Sequence, residues 1–489
     1  MGIPVIVGRE AYNERTMSIP LLPNDPHDDR LRAAVKPPAW VNPTPTGRYN
    51  LVVIGGGPAG LVCAVGAAGL GAKVALVERD LLGGDCLTVG CVPSKTLIRA
   101  AKTAHECRTA KRFGVDAGEP GIDFAAVMER VRRVRADASG HDSAERLRGL
   151  GVDVFLGEGQ FADGETLTVN GVSLAFARCV IATGARPKRW EGEGGTKILT
   201  NESLFTLTAL PQRLLVVGAG AVGCEMAQAF ARLGSRVALV AKGGKLLAKD
   251  LPEAAAFVAK SFQIDGITVV PDAPSMADFD AVLVAVGRTP NVESLNLSVA
   301  GVALDSEKGI LVDKYLRTTN RRIFAAGDVT SLGVRFTHAA DAMARVVLRN
   351  ALFAGRATFD PNTIPHCTFT DPEIAAVGDT GPGNREWHLP FSDLDRANTD
   401  GAEGFLKVFT AARSDRILGA ACVGPNSGEL IGTVSVAMAN RVGLSKLGGA
   451  VFPYPTYTEA VRKLADQYNR GKLSPLVQRL FRTWLRWRR

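Results

Sequence analysis

The chain has 489 residues, of which 46% are hydrophobic and 22% charged, and this is the composition of a globular protein with several domains. Its eight cysteines are scattered apart from one close pair, which argues against a secreted disulfide scaffold and favours a reducing, cytoplasmic setting. No uninterrupted apolar run predicts a membrane span, and the net charge of +9 is not arranged like a nucleic-acid groove.

Residues 1–48 mix acids, bases and prolines. They contain no apolar core of a signal peptide, which argues against export. We interpret them as an ordered or partly ordered N-terminal arm.

A nucleotide-binding pattern begins at residue 49. An apolar strand leads into the glycine motif G-x-G-x-x-G at Gly55, Gly57 and Gly60, and a helix and a second strand follow, ending at Glu78. The glycines permit a tight turn and close approach of a pyrophosphate to the helix N-terminus, and the acid can accept a ribose hydroxyl. The whole pattern predicts a Rossmann-like unit more strongly than the glycines alone would.

A cysteine pair follows this unit directly. Cys86 and Cys91 are separated by four residues, Pro93 suits the first turn of a helix, and Lys95 adds a positive charge. A helix N-terminus and a nearby cation both favour the reactive thiolate. We interpret the pair as redox-active; the alternative is two structural cysteines in a loop.

The segment from Gly83 to Lys95 resembles the active site of the flavin-dependent pyridine nucleotide-disulfide oxidoreductases, which include dihydrolipoamide dehydrogenase, glutathione reductase and mercuric reductase. The resemblance implies that Cys86 exchanges with substrate, that Cys91 faces the flavin, and that the first unit holds FAD. It also implies an α/β fold of two Rossmann-like nucleotide-binding domains and a C-terminal α+β dimerisation domain, acting as a homodimer.

The predicted domains follow from this resemblance. An FAD-binding domain over 49–190 is followed by an NAD(P)-binding domain over 191–308, a return to the FAD-binding domain over 309–360, a dimerisation domain over 361–470 and a basic helix over 471–489. Only about ten residues separate the strand ending at Val270 from the next strand at Asp280, so the second domain is shorter than in typical relatives.

The second glycine motif comprises Gly218, Gly220 and Gly223. Glu78 lies 23 residues after Gly55, but the position 23 residues after Gly218 is Ala241, followed by Lys242. Without the acid that favours NAD, Lys242 with Lys245 can receive a 2′-phosphate, which favours NADPH over NADH. The alternative is that these lysines are only surface charge, and NAD then remains possible.

Further site residues come from the resemblance alone. Glu225 is expected to pair with Lys95 beside the flavin, the alternative being two solvated side chains. We expect His338 to pack or hydrogen-bond rather than to act as a base. The remaining positions expected near the two nucleotides are Gly159, Thr183, Gly184, Gly287, Gly327 and Asp328. No metal site is predicted.

The dimerisation domain departs from the family at one position. Relatives that handle dithiols carry a histidine, ordered by a glutamate, as the acid-base group for the exchange cysteine; here these positions are Tyr454 and Glu459. Tyrosine donates hydrogen bonds but is a poor base at neutral pH. Mercuric reductase also has tyrosine there, but its paired C-terminal cysteines are absent, since the last cysteine is Cys422.

The final residues form a basic amphipathic pattern. Seven bases and no acid follow Asp466. Apolar residues recur at steps of mostly three and four from Leu473 to Trp487, which predicts an amphipathic helix. Two interpretations remain open: peripheral contact with an anionic membrane, or packing of the apolar face on the dimerisation domain.

The sequence therefore predicts an FAD-dependent NADPH oxidoreductase that passes electrons through Cys86 and Cys91 to an unidentified small-molecule or small-thiol acceptor. The alternatives are mercuric ion reduction, a disulfide reductase of the dihydrolipoamide dehydrogenase type, and a slow redox-sensing or membrane-tethered interaction protein.

Overall fold

The computed structural model describes residues 19–188, 190 and 196–489. Residues 1–18 of the predicted arm lie outside this range. The described part of the arm contains helix α1 (Pro26–Val35), which begins where the Asp25 carboxylate accepts from the amides of His27 and Asp28. Asp28 is fully buried and forms an ion pair of 2.6 Å with Arg135, so this part of the arm packs on the first domain.

The first domain is built around a seven-stranded sheet in the order β3-β2-β1-β6-β5-β4, with a later strand also paired to β6. The strands are β1 (Tyr49–Ile54), β2 (Val74–Glu78), β3 (Val152–Leu156), β4 (Gly159–Phe161), β5 (Thr166–Val169) and β6 (Val172–Ile181), followed by the short β7 (Ala185–Pro187) outside the sheet. The helices are α2 (Pro58–Gly69), α3 (Gly84–Thr88), α4 (Cys91–Thr109), α5 (Phe124–Ala138) and α6 (Ala144–Gly149).

Pairing is parallel from β3 to β6 and antiparallel from β6 to β4. Leu51, Val52 and Val53 in β1 are all fully buried, as expected for a central parallel strand covered on both faces. Asn170 and Gly171, a residue pair typical of hairpin turns, join β5 to β6 with φ of 48° and 80°.

The second domain is a five-stranded parallel sheet in the order β11-β10-β9-β12-β8. Its strands are β8 (Lys197–Leu199), β9 (Arg213–Val217), β10 (Arg236–Val240), β11 (Thr268–Val270) and β12 (Ala281–Val284), and its helices are α7 (Asn201–Leu204), α8 (Ala221–Arg232) and α9 (Pro252–Ile264). Helix α8 begins at Ala221, directly after its N-cap Gly220, the middle glycine of the second motif. Only one 3₁₀ turn, Met276–Asp278, separates β11 from β12, as the short spacing predicts.

Strand β13 (Arg288–Pro290) pairs with β7 in an antiparallel ribbon that joins the two domains. The chain then returns to the first domain through β14 (Leu304–Asp305), β15 (Gly309–Ile310), β16 (Ile323–Ala325) and α10 (Thr337–Leu352). Strand β16 is the one that pairs with β6, and α10 packs on α2 through a shared core that includes Ala64, Ala67, Ala344 and Val347. Small residues on α2 allow the two helices to approach closely.

The third domain is an antiparallel sheet in the order β17-β18-β21-β20-β19. Its strands are β17 (His366–Thr368), β18 (Glu373–Gly378), β19 (Arg385–Pro390), β20 (Phe405–Thr410) and β21 (Ile417–Gly424). Its helices are α11 (Asp395–Asp400), α12 (Ser427–Ala439), α13 (Leu444–Leu447) and α14 (Glu459–Arg470). The predicted fold class, two nucleotide-binding α/β domains and an α+β domain, is confirmed.

The chain ends in helix α15 (Pro475–Trp487), which contains no buried residue. The alternative in which its apolar face packs on the third domain of the same chain is therefore not seen among the described residues. Within the described ranges, no helix has both the length and the hydropathy needed to cross a membrane.

Candidate functional site

A cavity of about 1670 Å³ lies where the three domains meet, beyond the carboxyl ends of β1 and β12. Such a position is the usual ligand site of open α/β sheets. Thirteen of the predicted site residues line it: Gly55, Gly57, Glu78, Cys86, Cys91, Lys95, Thr183, Gly184, Gly220, Glu225, Gly287, Gly327 and Asp328. The other predicted residues do not line it: Gly60, Gly159, Gly218, Gly223, Lys242, Tyr454 and Glu459.

The two cysteines occupy consecutive helices. Cys86 lies in α3, and Cys91 is the first residue of α4, exposed toward the cavity. Both line the cavity, and Thr337 Oγ1 lies 3.4 Å from Cys91 Sγ. Both sulfurs are therefore placed where a molecule in the cavity can reach them.

The pair ionises asymmetrically. The hydrogen bond from Cys86 lowers the pKa of Cys91 to about 6, with smaller contributions from Thr337 and Lys95, although burial opposes the shift. The same hydrogen bond, together with burial, raises the pKa of Cys86. The reduced pair thus holds one proton at neutral pH, with Cys91 as the thiolate.

An ion pair beside the cysteines joins all three domains. Lys95 lies one turn after Cys91 on α4, and its Nζ is 2.8 Å from Oε2 of Glu225 on α8. The other oxygen of Glu225 accepts from the amide of Phe369 at 2.9 Å, and Lys95 lies over the Phe369 ring at 4.5 Å. Glu225 is only 5% exposed, so the expected pair forms and this acid is buried rather than solvated.

In each glycine motif, the third glycine is needed for backbone packing, whereas the middle glycine faces open space. A Cβ on Gly60 or on Gly223 would lie 1.8 Å from the carbonyl oxygen of the first glycine of its motif. By contrast, a Cβ on Gly57 would meet nothing closer than 3.9 Å, and one on Gly220 nothing within 4 Å. The middle glycines leave clear space at the N-termini of α2 and α8, and this space fits the pyrophosphates of two dinucleotides.

The strand register shows whether Ala241 in the second nucleotide-binding unit occupies the same place as Glu78 in the first. Val77, just before Glu78, pairs with the last residue of β1, and Val240, just before Ala241, pairs with the last residue of β9. Ala241 therefore occupies the place of Glu78, whose carboxylate accepts from the amides of Gly56 and Asp80, each at 2.6 Å. Lys242 and Lys245 follow on the surface, outside the cavity lining.

A charged cluster in the cavity was missed by the sequence reasoning. Arg288 hydrogen-bonds to the carboxylate of Asp85 and to the carbonyl of Ala185, and its Nε is 3.7 Å from Asp328. The Nε atoms of Arg288 and Arg335 are buried without a hydrogen-bond partner among the described residues, and burial raises the pKa of Asp328. Orphaned guanidinium donors fit an anionic ligand such as a cofactor phosphate. The signal was available, because Arg288 directly follows Gly287.

A second group that sequence reasoning missed begins helix α10. The Phe336 ring is stacked between those of His338 and His366, with centroid separations of 5.4 and 6.1 Å. His338 Nε2 donates to the carbonyl of Pro365 at 2.5 Å, the hydrogen-bonding role expected for it. Thr337 lies 246 positions from Cys91 in the sequence, and no local pattern predicts their contact.

Three positions expected near the nucleotides, Thr183, Gly184 and Gly287, lie beside the ribbon of β7 and β13. Thr183 Oγ1 donates to the carbonyl of Asn291 at 2.6 Å, and the Asn291 side chain donates to the Thr183 carbonyl at 3.0 Å. Gly184 and Gly287 have φ of 68° and 118°, a region that favours glycine, and both line the cavity. Gly159 instead directs its Cβ position toward the side chains of core residues.

Tyr454 and Glu459 lie away from the cysteines of their own chain. The Tyr454 hydroxyl donates to Asp395 at 2.6 Å, which raises the pKa of Tyr454. Glu459 is buried and pairs with Arg462 at 2.9 Å rather than with Tyr454. Within one chain, the expected acid-base group is therefore not assembled.

Comparison with known proteins decides the family. The pyridine nucleotide-disulphide oxidoreductase model matches residues 49–275 and 272–344, and the dimerisation-domain model of the same name matches residues 364–465. The chain belongs to this family. It is an oxidoreductase of the flavoprotein class that acts on a sulfur group, with FAD and NAD(P)H as the family's cofactors. The dimerisation domain supports a homodimer.

Individual relatives agree with this assignment. The chain is 33% identical to a mercuric reductase of Acidithiobacillus ferrooxidans, over 96% of this chain and 93% of that one. It is also 33% identical to a dihydrolipoyl dehydrogenase of Thermus scotoductus, over 86% and 97% of the two chains. The HOCl-induced flavoprotein disulfide reductase RclA of Escherichia coli superposes with a TM-score of 0.74 at 27% identity, covering 86% of this chain and 99% of that one.

The ionisation of the cysteine pair can be measured directly. In the reduced protein, alkylation of Cys91 by iodoacetamide should accelerate as pH rises through about 6, because the thiolate is the nucleophile. Cys86→Ala removes the largest cause of the low pKa and should move this midpoint upward. Peptide mapping by mass spectrometry identifies the modified residue, with Cys91→Ser as the control. A midpoint that stays near 6 in Cys86→Ala would contradict this assignment.

Proposed function

We propose that this chain is an FAD-dependent NADPH oxidoreductase in which Cys86 and Cys91 pass electrons from the flavin to an acceptor. One observation carries the proposal. A pair of unequally ionised thiols, at the N-terminus of α4, opens onto the same cavity as both glycine motifs. A redox pair needs this proximity, whereas structural cysteines in a loop do not.

The residues divide into those that hold each nucleotide. Gly57, Glu78 and Asp328 would hold FAD, with Arg288 and Arg335 as the anion-binding groups. Gly220, Gly287 and the surface lysines after Ala241 would hold NADPH. When bound, the flavin supplies transfer of an electron pair from the nicotinamide to the disulfide. Lys95, held by the buried Glu225, would place a positive charge beside it.

With a disulfide as acceptor, the electrons, protons and sulfur bonds of the proposed reaction are all accounted for. Reduction breaks the Cys86–Cys91 bond and, with two electrons and one proton, leaves Cys86 as a thiol and Cys91 as a thiolate. Once deprotonated, Cys86 attacks one acceptor sulfur and releases the other as a thiolate. Cys91 then attacks the Cys86 sulfur, which re-forms the internal disulfide and releases the second acceptor thiolate.

The proton on Cys86 favours a second candidate function, mercuric ion reduction. Tyr454, with its raised pKa, is a poor base for this proton. A soft metal ion displaces thiol protons as it binds, so it needs no such base. The two thiolates would give up two electrons and form one disulfide, and Hg(II) would take up these electrons and become Hg(0). Similarity to mercuric reductases supports this candidate.

Acceptor specificity separates these functions. Steady-state NADPH oxidation should be measured with small disulfides, quinones and mercuric thiolates, using the native chain and the Cys86→Ala and Cys91→Ser variants. Turnover with disulfide or mercuric acceptors should fall at least about a hundredfold in both variants, because each route needs both sulfurs. Quinone reduction that survives in both variants would place the chemistry on the flavin alone. If no acceptor supports NADPH oxidation, the proposed enzyme activity is wrong.

Cofactor preference depends on the position after β10. NADPH should be preferred over NADH, and Lys242→Glu should lower kcat/KM for NADPH by about 5- to 150-fold, since a charge-assisted phosphate contact contributes roughly 1–3 kcal/mol. Values for NADH should change little. Lys249→Glu, at an exposed lysine nearby, is the matched control. Equal rates with both cofactors in the native chain would refute this preference.

In a homodimer, Tyr454 and Glu459 could lie beside the cysteine pair of the partner chain. Because they lie away from the cysteines of their own chain, we propose that they complete the site of the partner chain. Mixing an inactive Cys86→Ala chain with a Tyr454→Phe, Glu459→Ala chain should restore one intact site per mixed dimer. Differently tagged chains allow the mixed dimers to be isolated and assayed. No recovery beyond the unmixed controls would count against shared sites.

A further inference from the structure

The terminal helix α15 is specified locally and is detached from the body of the protein. Ser474 caps it by accepting from the amide of Val477 at 3.3 Å, and Pro475 occupies its first turn. Lys472 Nζ, 2.8 Å from Ser445 Oγ, makes the last side-chain hydrogen bond to the body. Among the described residues, no hydrogen bond or ion pair joins residues 475–489 to anything before Leu473.

The helix has one apolar half and one basic strip. With about 100° of rotation per residue, the apolar side chains cover roughly half of its circumference. They are Leu476, Val477, Leu480, Phe481, Trp484, Leu485 and Trp487. Three arginines, Arg479, Arg482 and Arg486, share a narrow strip on the opposite half. The arginines and the apolar residues are thus fully separated along the helix.

The apolar half is open to solvent. Leu476 is 66% exposed, Trp484 53% and Trp487 77%. A helix of 13 residues is marginal in water without tertiary contacts, since isolated helices need about 12–15 residues or more. A partner that covers the apolar half would both stabilise the helix and remove this surface from water.

Charge distinguishes the possible occupants. A second copy of α15 would bring one acid-free basic segment against another, so the like charges would repel. An anionic lipid surface matches both halves: acyl chains cover the leucines and tryptophans, while lipid phosphates attract the arginines. Arginine and tryptophan also combine apolar bodies with polar ends, which suits the interface region.

We propose that α15 binds the protein peripherally to membranes that contain anionic lipid, with its axis in the plane of the interface. The four residues 471–474 connect it to α14, so the redox domains remain outside the bilayer. The hydrogen bond from Lys472 to Ser445 is the last side-chain contact between this connection and the third domain.

Vesicle sedimentation tests this proposal. The FAD-loaded full chain should pellet with vesicles of phosphatidylcholine and phosphatidylglycerol, more weakly with phosphatidylcholine alone, and less in high salt, which screens the arginines. A chain ending at Lys472 should stay in the supernatant. Equal binding by both chains, or binding by neither, would overturn the proposal.

Matched single substitutions locate the contact on the helix. Leu480→Glu and Gln478→Glu add the same charge, one within the apolar half and one outside it. Leu480→Glu should weaken binding at least about tenfold more than Gln478→Glu, because only it places a carboxylate among the acyl chains. Equal effects would mean that the attraction is purely electrostatic and that the apolar half does not insert, which contradicts the proposal.

Two further measurements separate the other outcomes. If truncation at Lys472 reduces the oligomeric state in sedimentation velocity and no vesicle binding is seen, α15 covers a second copy and the membrane proposal fails. The truncated chain should oxidise NADPH as fast as the full chain with the same soluble acceptor. Loss of NADPH oxidation in both chains would refute the redox function without affecting the sedimentation result.

Discussion

The ion pair between Lys95 and Glu225 is the contact on which the site depends. Lys95 follows the cysteine pair on α4, Glu225 lies in the first turns of α8, and Phe369 of the third domain supplies an amide donor and a ring. A buried carboxylate needs compensation for its lost hydration, and each of these contacts provides part of it. Removing Lys95 would leave the buried Glu225 carboxylate without its charge partner. The same requirement that stabilises the junction therefore keeps both nucleotide-binding domains in a fixed relation to the cysteines.

Duplication of the nucleotide unit explains how one chain brings two cofactors to one cavity. In each copy, the third glycine is dictated by contact with its own backbone, while the middle glycine leaves space for a ligand. The copies differ in the residue after the second strand, where Glu78 accepts two backbone amides and Ala241 accepts none. Backbone packing thus conserves the shape of the unit, and a single side chain is free to change which nucleotide it recognises.

Much of this site could be predicted because its signals are local. The strand–glycine–helix patterns, the Asn170–Gly171 turn and the short gap before β12 each depend on residues close together in sequence. The contact of Thr337 with Cys91 depends on return of the chain to the first domain, and no periodicity encodes it. The surface that covers the apolar half of the last helix likewise cannot be predicted from the sequence. An amphipathic pattern shows that one face needs a partner but carries no information about which surface is near.

The proton on the cysteine pair links the site to the choice of acceptor. One hydrogen bond lowers the pKa of Cys91 and raises that of Cys86, so Cys91 becomes the thiolate while Cys86 keeps its proton. A histidine base would relieve this constraint, but tyrosine stands at that position, and its hydroxyl is already committed to Asp395. Under the proposed function, acceptors that displace a proton on binding should therefore react more readily than neutral disulfides. Under the proposed function, tyrosine at position 454 would limit which acceptors are competent, and the electron path through the cysteine pair would be unchanged.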